Sequence, residues 1–460
     1  MLPNTVSGIM LSKNKRGMGM QIIIIGAGKS GYAIAESLHS EKHDIIMIDS
    51  NQQALDKVDE KLDVLCIKGN GVSANTQLQA GVENAGLLVA VTESDEINML
   101  CCLMAKRLGA QQTAARIRDP KYANELLLLK DDIGVDFVIN PELMAAEEIM
   151  RSLTFSTAIN VESFAKGRVK MVGLKITEDN PYLGKKLKTL DLQKNSSILL
   201  GVVLREGKVI VPDGDYEMMT NDIIYVLGTS GSIYTFCGRI KKSPQKIKNV
   251  MVLGGGRITY YLLKLLTSTG MRVKVIEVDR NRCHELAEIF PHALIINGDG
   301  TDQEMLNSEN IESMEGFVAV TGMDEENILA SMLAKEQGVE KVIAKVTRPG
   351  YSRLAMSIGV ENVIAPQKLI ANQIRKCIKG SSIEELHGII EGQAEILEFK
   401  AAENSKLVGK AIKRLKLGKG TVIATIVRKN EVLIPHGDDI IKPDDRVIII
   451  TKNDAQLELE

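Results

Sequence analysis

Gly26-Ala27-Gly28-Lys29-Ser30-Gly31 stands between the apolar run QIIII and the amphipathic stretch YAIAESL, and Asp49 closes the next apolar run, DIIMID. A G-x-G-x-x-G order after a strand, opening a helix and followed by an acid about 20 positions on, meets the demands of a dinucleotide cradle. Gly26 permits the tight turn, Gly28 lets backbone approach a diphosphate, and Gly31 lets helix lie close to sheet. The unpaired N–H groups at the helix N-terminus then face the phosphates. Asp49 is placed to accept hydrogen bonds from ribose hydroxyls and would repel a 2′-phosphate, which favours NAD(H) over NADP(H). The competing reading is a nucleotide-like fold whose site takes no ligand. Lys29 reaches toward a phosphate or is a solvated lysine on a first helical turn.

Further along, Gly69-Asn70-Gly71 ends a third apolar run, as a ligand contact or as a tight turn. Thr92, Glu93 and Ser94 precede a helical pattern, where capping competes with ligand contact. Arg116 ends the apolar segment AARIR, and a guanidinium there calls for an anion, either a phosphate or a carboxylate.

The same layout returns at an offset of 228, which sets Gly254-Gly255-Gly256 on Gly26-Ala27-Gly28 and Glu277 on Asp49. AVTGMDEEN, residues 319–327, then meets AVTESDEIN, residues 90–98, so Thr321 and Gly322 fall on Thr92 and Glu93. Arg257 and Ile258 stand where Lys29 and Ser30 stood, and Thr259 replaces the third glycine. A β-branched residue there is expected to push the helix outward and to weaken or alter phosphate binding. Lys345 takes the place of Arg116, keeping charge and losing the bidentate fork.

No acid/base pair accompanies these cradles. The six histidines are scattered, and no catalytic residue is assigned. Tyr182 and Lys186 form a Y-x-x-x-K string, but it follows Asn180-Pro181 and contains Gly184, so it does not sit on a dinucleotide-fold helix. A hydride-transfer enzyme lacks its proton donor here, and the pattern points to sensing.

Strands alternating with amphipathic helices predict βαβ units and a parallel sheet in each copy. In EINMLCCLMAKRLG, Ile97, Leu100, Cys101, Met104 and Leu108 share one helical face, and Gly109 ends the helix. After each parallel unit come short Val/Ile runs split by Arg-Glu-Gly-Lys and Arg-Lys-Asn-Glu turns, which read as small β-rich modules with one helix. The fold class is therefore α/β: a duplicated Rossmann-like parallel-sheet domain, each copy followed by a small β-rich α+β domain. The boundaries expected are 20–141, 158–240, 248–366 and 385–460. The stretches PELMAAEEIMRSL and PQKLIANQIRKCI join the parts as helices, packing on a neighbouring subunit or on their own domain.

At 460 residues, 57 Lys plus Arg stand against 59 Asp plus Glu, so no cationic field invites nucleic acid. The six cysteines lack zinc-ligand spacing and read as reduced core thiols. Asp213, Asp215, Asp438 and Asp439 read as turn residues, with a cation site as the alternative, and no metal site is assigned. Residues 1–19 lack the apolar core of a signal peptide, and folded structure is expected from about Met20. No run approaches the roughly 20 apolar residues of a membrane span, so no direct membrane insertion is expected.

IIIIGAGKSG, Asp49, IKGNGVS, LLVAVTESDEIN and ARIRDP, in that order, resemble the regulator of potassium conductance (RCK, or KTN) domain, and the β modules resemble its C-terminal companion. The resemblance runs from Met20 to the C-terminus. It implies NAD or NADH as ligand, with ATP or ADP as alternatives, and a homo-oligomeric ring beneath an integral-membrane potassium transporter subunit of the TrkH type. It implies a cytoplasmic chain held at the inner face of the membrane through that partner. The ligand positions it implies are Gly26, Ala27, Gly28, Lys29, Ser30, Asp49, Thr92, Glu93 and Arg116. In the second half they are Gly254, Gly255, Gly256, Arg257, Ile258, Glu277, Thr321, Gly322 and Lys345.

Overall fold

A computed structural model describes residues 19–122, 132–154, 159–190, 192, 197–240, 247–379, 383–389 and 393–452, with positions 40, 42, 268, 361, 404, 416 and 419 excepted. The expectation for the first residues, up to 18, lies outside the described ones.

Ile22 to Ile25 are wholly buried, as a β-branched run between two helical layers must be, and they form the centre of the first sheet. Its strands are β1 (Gln21–Ile25), β2 (Asp44–Asp49), β3 (Leu65–Lys68), β4 (Leu87–Ala90), β5 (Gln112–Arg116) and β6 (Phe137–Ile139). They lie in the order β3-β2-β1-β4-β5-β6, with β1 parallel to both β2 and β4. The chain thus reverses its direction of progress across the sheet between β1 and β4, the place where open α/β sheets bind ligands.

The helix Asp95–Leu108 is bounded as its sequence directs. The Ser94 hydroxyl accepts from the Ile97 N–H, and Gly109 closes the last turn at φ 110°. Its buried face differs from the expected one. Asn98, Cys101, Cys102 and Ala105 face the sheet, while Ile97 and Leu100 are exposed. Small side chains let this helix lie close to the strands, and the larger apolar ones are turned away.

β7 (Asn160–Phe164), β8 (Val169–Lys175), β9 (Ile198–Arg205), β10 (Lys208–Ile210) and β11 (Ile223–Gly228) build the second sheet in the order β10-β9-β11-β8-β7. Its pairings are antiparallel, and the helix Ser230–Arg239 follows. The third sheet repeats the first: β12 (Asn249–Leu253), β13 (Arg272–Glu277), β14 (Leu294–Asn297), β15 (Gly316–Ala319), β16 (Lys341–Lys345) and β17 (Asn362–Ile364), ordered β14-β13-β12-β15-β16-β17 and all parallel. The fourth repeats the second, with β18 (Ile383–Ile389), β19 (Ala394–Lys400), β20 (Thr421–Arg428), β21 (Glu431–Leu433) and β22 (Arg446–Lys452) in the order β18-β19-β22-β20-β21. The duplicated α/β plan read from the sequence is the fold observed.

The chain divides into two compact units, up to Val138 and from Ile139 onward. Within the second, the helix Pro141–Thr154 packs on the helix Arg257–Leu266, which opens at the second cradle. Ala145, Ala146, Ile149 and Leu153 share a core with Tyr261 and Leu262. The sequence left this helix between a neighbouring subunit and its own domain. It lies instead on the second parallel sheet of the same chain. The two β modules also share one core, in which Phe164, Val202 and Leu227 meet Ile396, Ala424 and Ile450. At Gly201 the modules approach closely, since a Cβ there would overlap the Ile450 side chain.

Candidate functional site

The first cradle joins the C-terminal ends of β1, β2 and β4. Gly26 takes φ 109°, a conformation that strains any side chain, and its N–H donates to the Ile48 carbonyl at 2.8 Å. Gly31 is required by close approach: a Cβ there would overlap the Gly26 carbonyl oxygen. Gly28 differs from both. Nothing lies within 4 Å of the position its Cβ would occupy, and the residue is exposed at the start of the helix Lys29–His39. The protein's own packing accounts for two of the three glycines, and the middle one borders open space where the helix N-terminus points. A diphosphate fits that space and those donors.

Asp49 fixes the turn. Its Oδ2 accepts the Ala27 N–H at 2.6 Å and its Oδ1 accepts the Asn51 N–H at 2.8 Å. Each carboxylate oxygen keeps a second lone pair for a ribose hydroxyl. Ser30 is buried, and its hydroxyl accepts from Arg116 Nη1 at 3.0 Å, while Nη2 of the same guanidinium donates to the Thr92 carbonyl at 2.5 Å. Arg116 thereby ties the helix start to the loop after β4, with its charge beside the cradle. Lys29 and Glu93 are exposed on either side, and the Glu93 carbonyl accepts from Arg118.

Sequence reasoning passed over two pairs of residues that hold this loop. Asn98, wholly buried, accepts the Thr92 N–H and hydroxyl at 2.7 Å each and donates to the Arg116 carbonyl at 2.8 Å. Asp95 accepts the N–H groups of Arg118 and Asp119 at 2.7 and 2.8 Å. The second copy repeats both: Asn327 accepts the Thr321 N–H at 2.8 Å and donates to the Lys345 carbonyl at 3.0 Å, and Asp324 receives Thr347 and Arg348. The signal was present as the D-E-x-N shared by AVTESDEIN and AVTGMDEEN. Capping falls to Ser94, while Thr92 is an anchor point for Asn98. Ser94 and Tyr122 also donate to Glu96 at 2.6 and 2.7 Å, and these hydrogen bonds hold its carboxyl at about 2.

The second cradle has the same plan with altered contacts. Gly254 takes φ 98°, and Gly256, like Gly28, has nothing within 4 Å of its Cβ position. Thr259 is wholly buried and its hydroxyl donates to the Gly254 carbonyl, the oxygen whose counterpart leaves no room at Gly31. The helix start is thus seated differently in the two copies, and the threonine bridges it back to the turn. Glu277 accepts the N–H groups of Gly255 and Asp279 at 2.5 and 2.8 Å, matching Asp49. Glycine stands at 255 where the first copy has Ala27, and a Cβ there would press first on Leu286 at 2.8 Å and then on Glu277 Oε2 at 3.0 Å. Arg282, another residue missed, donates from Nε to the Gly255 carbonyl at 2.7 Å. Its counterpart is Ala54, which has no such donor. Arg257 and Gly322 are exposed, Thr321 and Lys345 half-buried, and Ile258 joins the core, leaving only its backbone for a ligand.

The remaining candidates fall outside the cradles. Side chains at Gly69 and Gly71 would overlap Thr76 and Ile25, and Asn70 Oδ1 accepts the Val72 N–H at 3.0 Å, so packing and a tight turn account for that motif. Tyr182 packs on Phe236 and Lys186 pairs with Asp215. Asp213 accepts the Asp215 N–H and Asp439 the His436 N–H, as turn residues do. Among the described residues no three His, Cys, Asp or Glu side chains gather as metal ligands, and no helix is long and apolar enough to cross a membrane.

Comparison with known proteins agrees with this plan. The TrkA-N domain family matches residues 22–141 and 250–366, and the TrkA-C domain family residues 171–241 and 396–460. The chain is 37% identical over 449 residues to the Trk system potassium uptake protein TrkA homolog 1 of Methanosarcina mazei, across 96% of this chain and 99% of that one. It is 33% identical over 441 residues to the Trk system potassium uptake protein TrkA of Vibrio alginolyticus, across 94% and 96%. Among solved structures, the GsuK RCK domain superposes with a TM-score of 0.63 at 17% identity, across 96% of this chain and 94% of that one. The GsuK channel bound to NAD superposes at 0.62 and 17%, across 96% and 78%. At that identity the likeness is one of fold.

Proposed function

The chain belongs to the TrkA family, with the TrkA-N and TrkA-C domains each present twice, and on that premise we propose that it is a nucleotide-sensing regulatory subunit of a potassium uptake transporter. Its four domains run 20–141, 158–240, 248–366 and 385–460. It binds NAD or NADH, with ATP or ADP as competing occupants, and acts as a ring on an integral-membrane partner of the TrkH type at the cytoplasmic face. The relatives' names and the NAD of the GsuK channel support this reading.

The observation that carries it is the open space beside Gly28 at the β1/β4 switch point. Gly26 to Gly31 receive the diphosphate on backbone N–H groups, Asp49 takes the ribose, and Arg116, with Thr92 and Glu93 alongside, supplies charge from the β5 end. Gly254 to Ile258, Glu277, Thr321, Gly322 and Lys345 do the same in the second cradle. The nucleotide brings an anionic diphosphate and a ribose for these groups to grip. A ligand shifts a conformational equilibrium only by the difference between its affinities for the two states. Here that difference arises where the cradle helix starts, and the chain passes it to the transporter without turning over the cofactor.

Gly28→Asp tests the reading, because it places a carboxylate where the diphosphate sits and leaves the sheet alone. Calorimetry with NAD, NADH, ATP and ADP is expected to show binding lost at the first cradle, and potassium uptake in cells is expected to lose its response to nucleotide. Regulation that persists after all binding is gone overturns the proposal, as does steady consumption of reduced cofactor by the purified wild type.

A further inference from the structure

Within the unit from Ile139 onward, the two β modules share one apolar core, the linker helix shares another with the second parallel sheet, and both joins carry polar contacts that the repeat does not share. The apolar part is symmetric in kind: β8, β9 and β11 of the first module face β19, β20 and β22 of the second. The polar part is not. Glu398 on β19 is 1% exposed, and its Oε2 accepts the Ala165 N–H from the first module at 2.7 Å while Oε1 accepts Arg446 Nη1 at 2.9 Å. Aligning MVGLKI with ILEFKA puts Gly173 at the counterpart of Glu398, and aligning β11 with β22 puts Ile223 at that of Arg446. Arg168 of the first module donates to the Lys429 carbonyl of the second. Its counterpart, Gln393, answers differently, donating to the Gly207 carbonyl at 2.8 Å and accepting the Val209 N–H at 3.1 Å. Between the linker helix and the second parallel sheet, Asn140 donates to the Tyr261 hydroxyl at 2.8 Å, both groups being buried. The repeat gives Ala365 and Ala33 at those positions.

We propose that Glu398 with Arg446, and Asn140 with Tyr261, are the specificity determinants that make the first half of this chain pair with its own second half and not with another first half. A core of Val, Ile and Leu adheres to any similar face, so discrimination has to come from groups that are satisfied in one pairing and stranded in another. A first-with-first pair of modules would set Gly173 where Glu398 stands, leaving the Ala165 N–H without its acceptor. A second-with-second pair would bring two buried Glu398 carboxylates to the one shared core. The mixed pair gives the buried carboxylate a donor from each side and places one such charge in the shared core. In a chain that carries two similar modules and, on the function proposed above, assembles with copies of itself, such a code keeps each half with its partner.

The test is carried out on the full chain. Glu398→Gly with Arg446→Ile installs the first module's residues in the second and removes the carboxylate together with the guanidinium that pairs with it. Native mass measurement is expected to show new species at multiples above those of the wild type. Amide exchange is expected to speed at least about tenfold at Ala165 while Val226, at the centre of β11, stays slow. An unchanged mass distribution overturns the proposal, and so does equal acceleration at Ala165 and Val226, which would make Glu398 a residue of the fold alone. Tyr261→Phe removes only the hydroxyl and tests the second lock. Faster exchange at Leu143, whose N–H rests on Asn140 Oδ1 at 2.9 Å, supports it. Exchange at the wild-type rate overturns it.

Discussion

Gly28 and Gly31 lie three residues apart and answer to different forces, which makes them a clean pair of probes. Gly31→Ala drives a methyl group into the Gly26 carbonyl, and is expected to lower unfolding free energy by about 1–3 kcal/mol, measured by urea titration. Gly28→Ala meets nothing. It is expected to change stability by less than about 1 kcal/mol, the scale of a helix-cap change, and to weaken NAD binding at least tenfold by calorimetry. The reverse outcome, tight binding by Gly28→Ala, would remove the diphosphate from that space. These glycines and Asp49 were legible in the sequence because each acts through backbone that its immediate neighbours fix. Asn98 and Asn327 were not, because a buried amide gains its meaning only when the β4 loop and the end of β5, 18 residues away, are brought to it. Thr259 was legible as a departure, but its hydrogen bond to Gly254 was not. Sterics can be read from a side chain's branching, whereas a hydroxyl's partner depends on where the helix comes to rest.

At the scale of elements, strand runs and helix caps followed local rules, and the sequence yielded both parallel sheets and both β modules. The destination of the helix Pro141–Thr154 was beyond it, because an apolar stripe states that a face is buried and not against what. Ile149 is wholly buried among residues of the second sheet, and Ile149→Ala is expected to destabilise the unit from Ile139 onward by about 2–5 kcal/mol in urea. The β modules carry a pH dependence of their own. Burial alone would raise the Asp222 carboxyl, but hydrogen bonds from Arg205, the Met219 N–H and Tyr216 outweigh it and hold the group below its ordinary value. Asp445 is held low in the same way by Arg428 and the Lys442 N–H. A depressed folded value means that the unfolded chain binds the proton more tightly. The stabilisation is therefore complete above the unfolded carboxylate value of about 3.9 and is lost as pH falls through the folded value. The urea midpoint of the modules is expected to fall steadily below about pH 4, and Asp222→Asn with Asp445→Asn is expected to flatten that slope.

For the whole molecule, the division at Val138 has a thermodynamic consequence. Compact units with separate cores need not unfold together, so heating is expected to give more than one transition by calorimetry. The first cradle lies in the unit that ends at Val138 and the second in the unit that follows. A ligand that binds only folded protein stabilises its own unit by RT ln(1 + [L]/Kd), or about 2.7 kcal/mol at a hundredfold excess over Kd. NAD at the first cradle is therefore expected to raise the transition that Gly31→Ala lowers. The transition that Ile149→Ala lowers moves only to the extent that the second cradle is filled. Two substitutions thus label the two transitions, and the ligand reports which cradle it occupies. If NAD moved only the transition marked by Ile149→Ala, the working site would be the one with Thr259. The intact glycine series at Gly26 to Gly31 would then need another explanation.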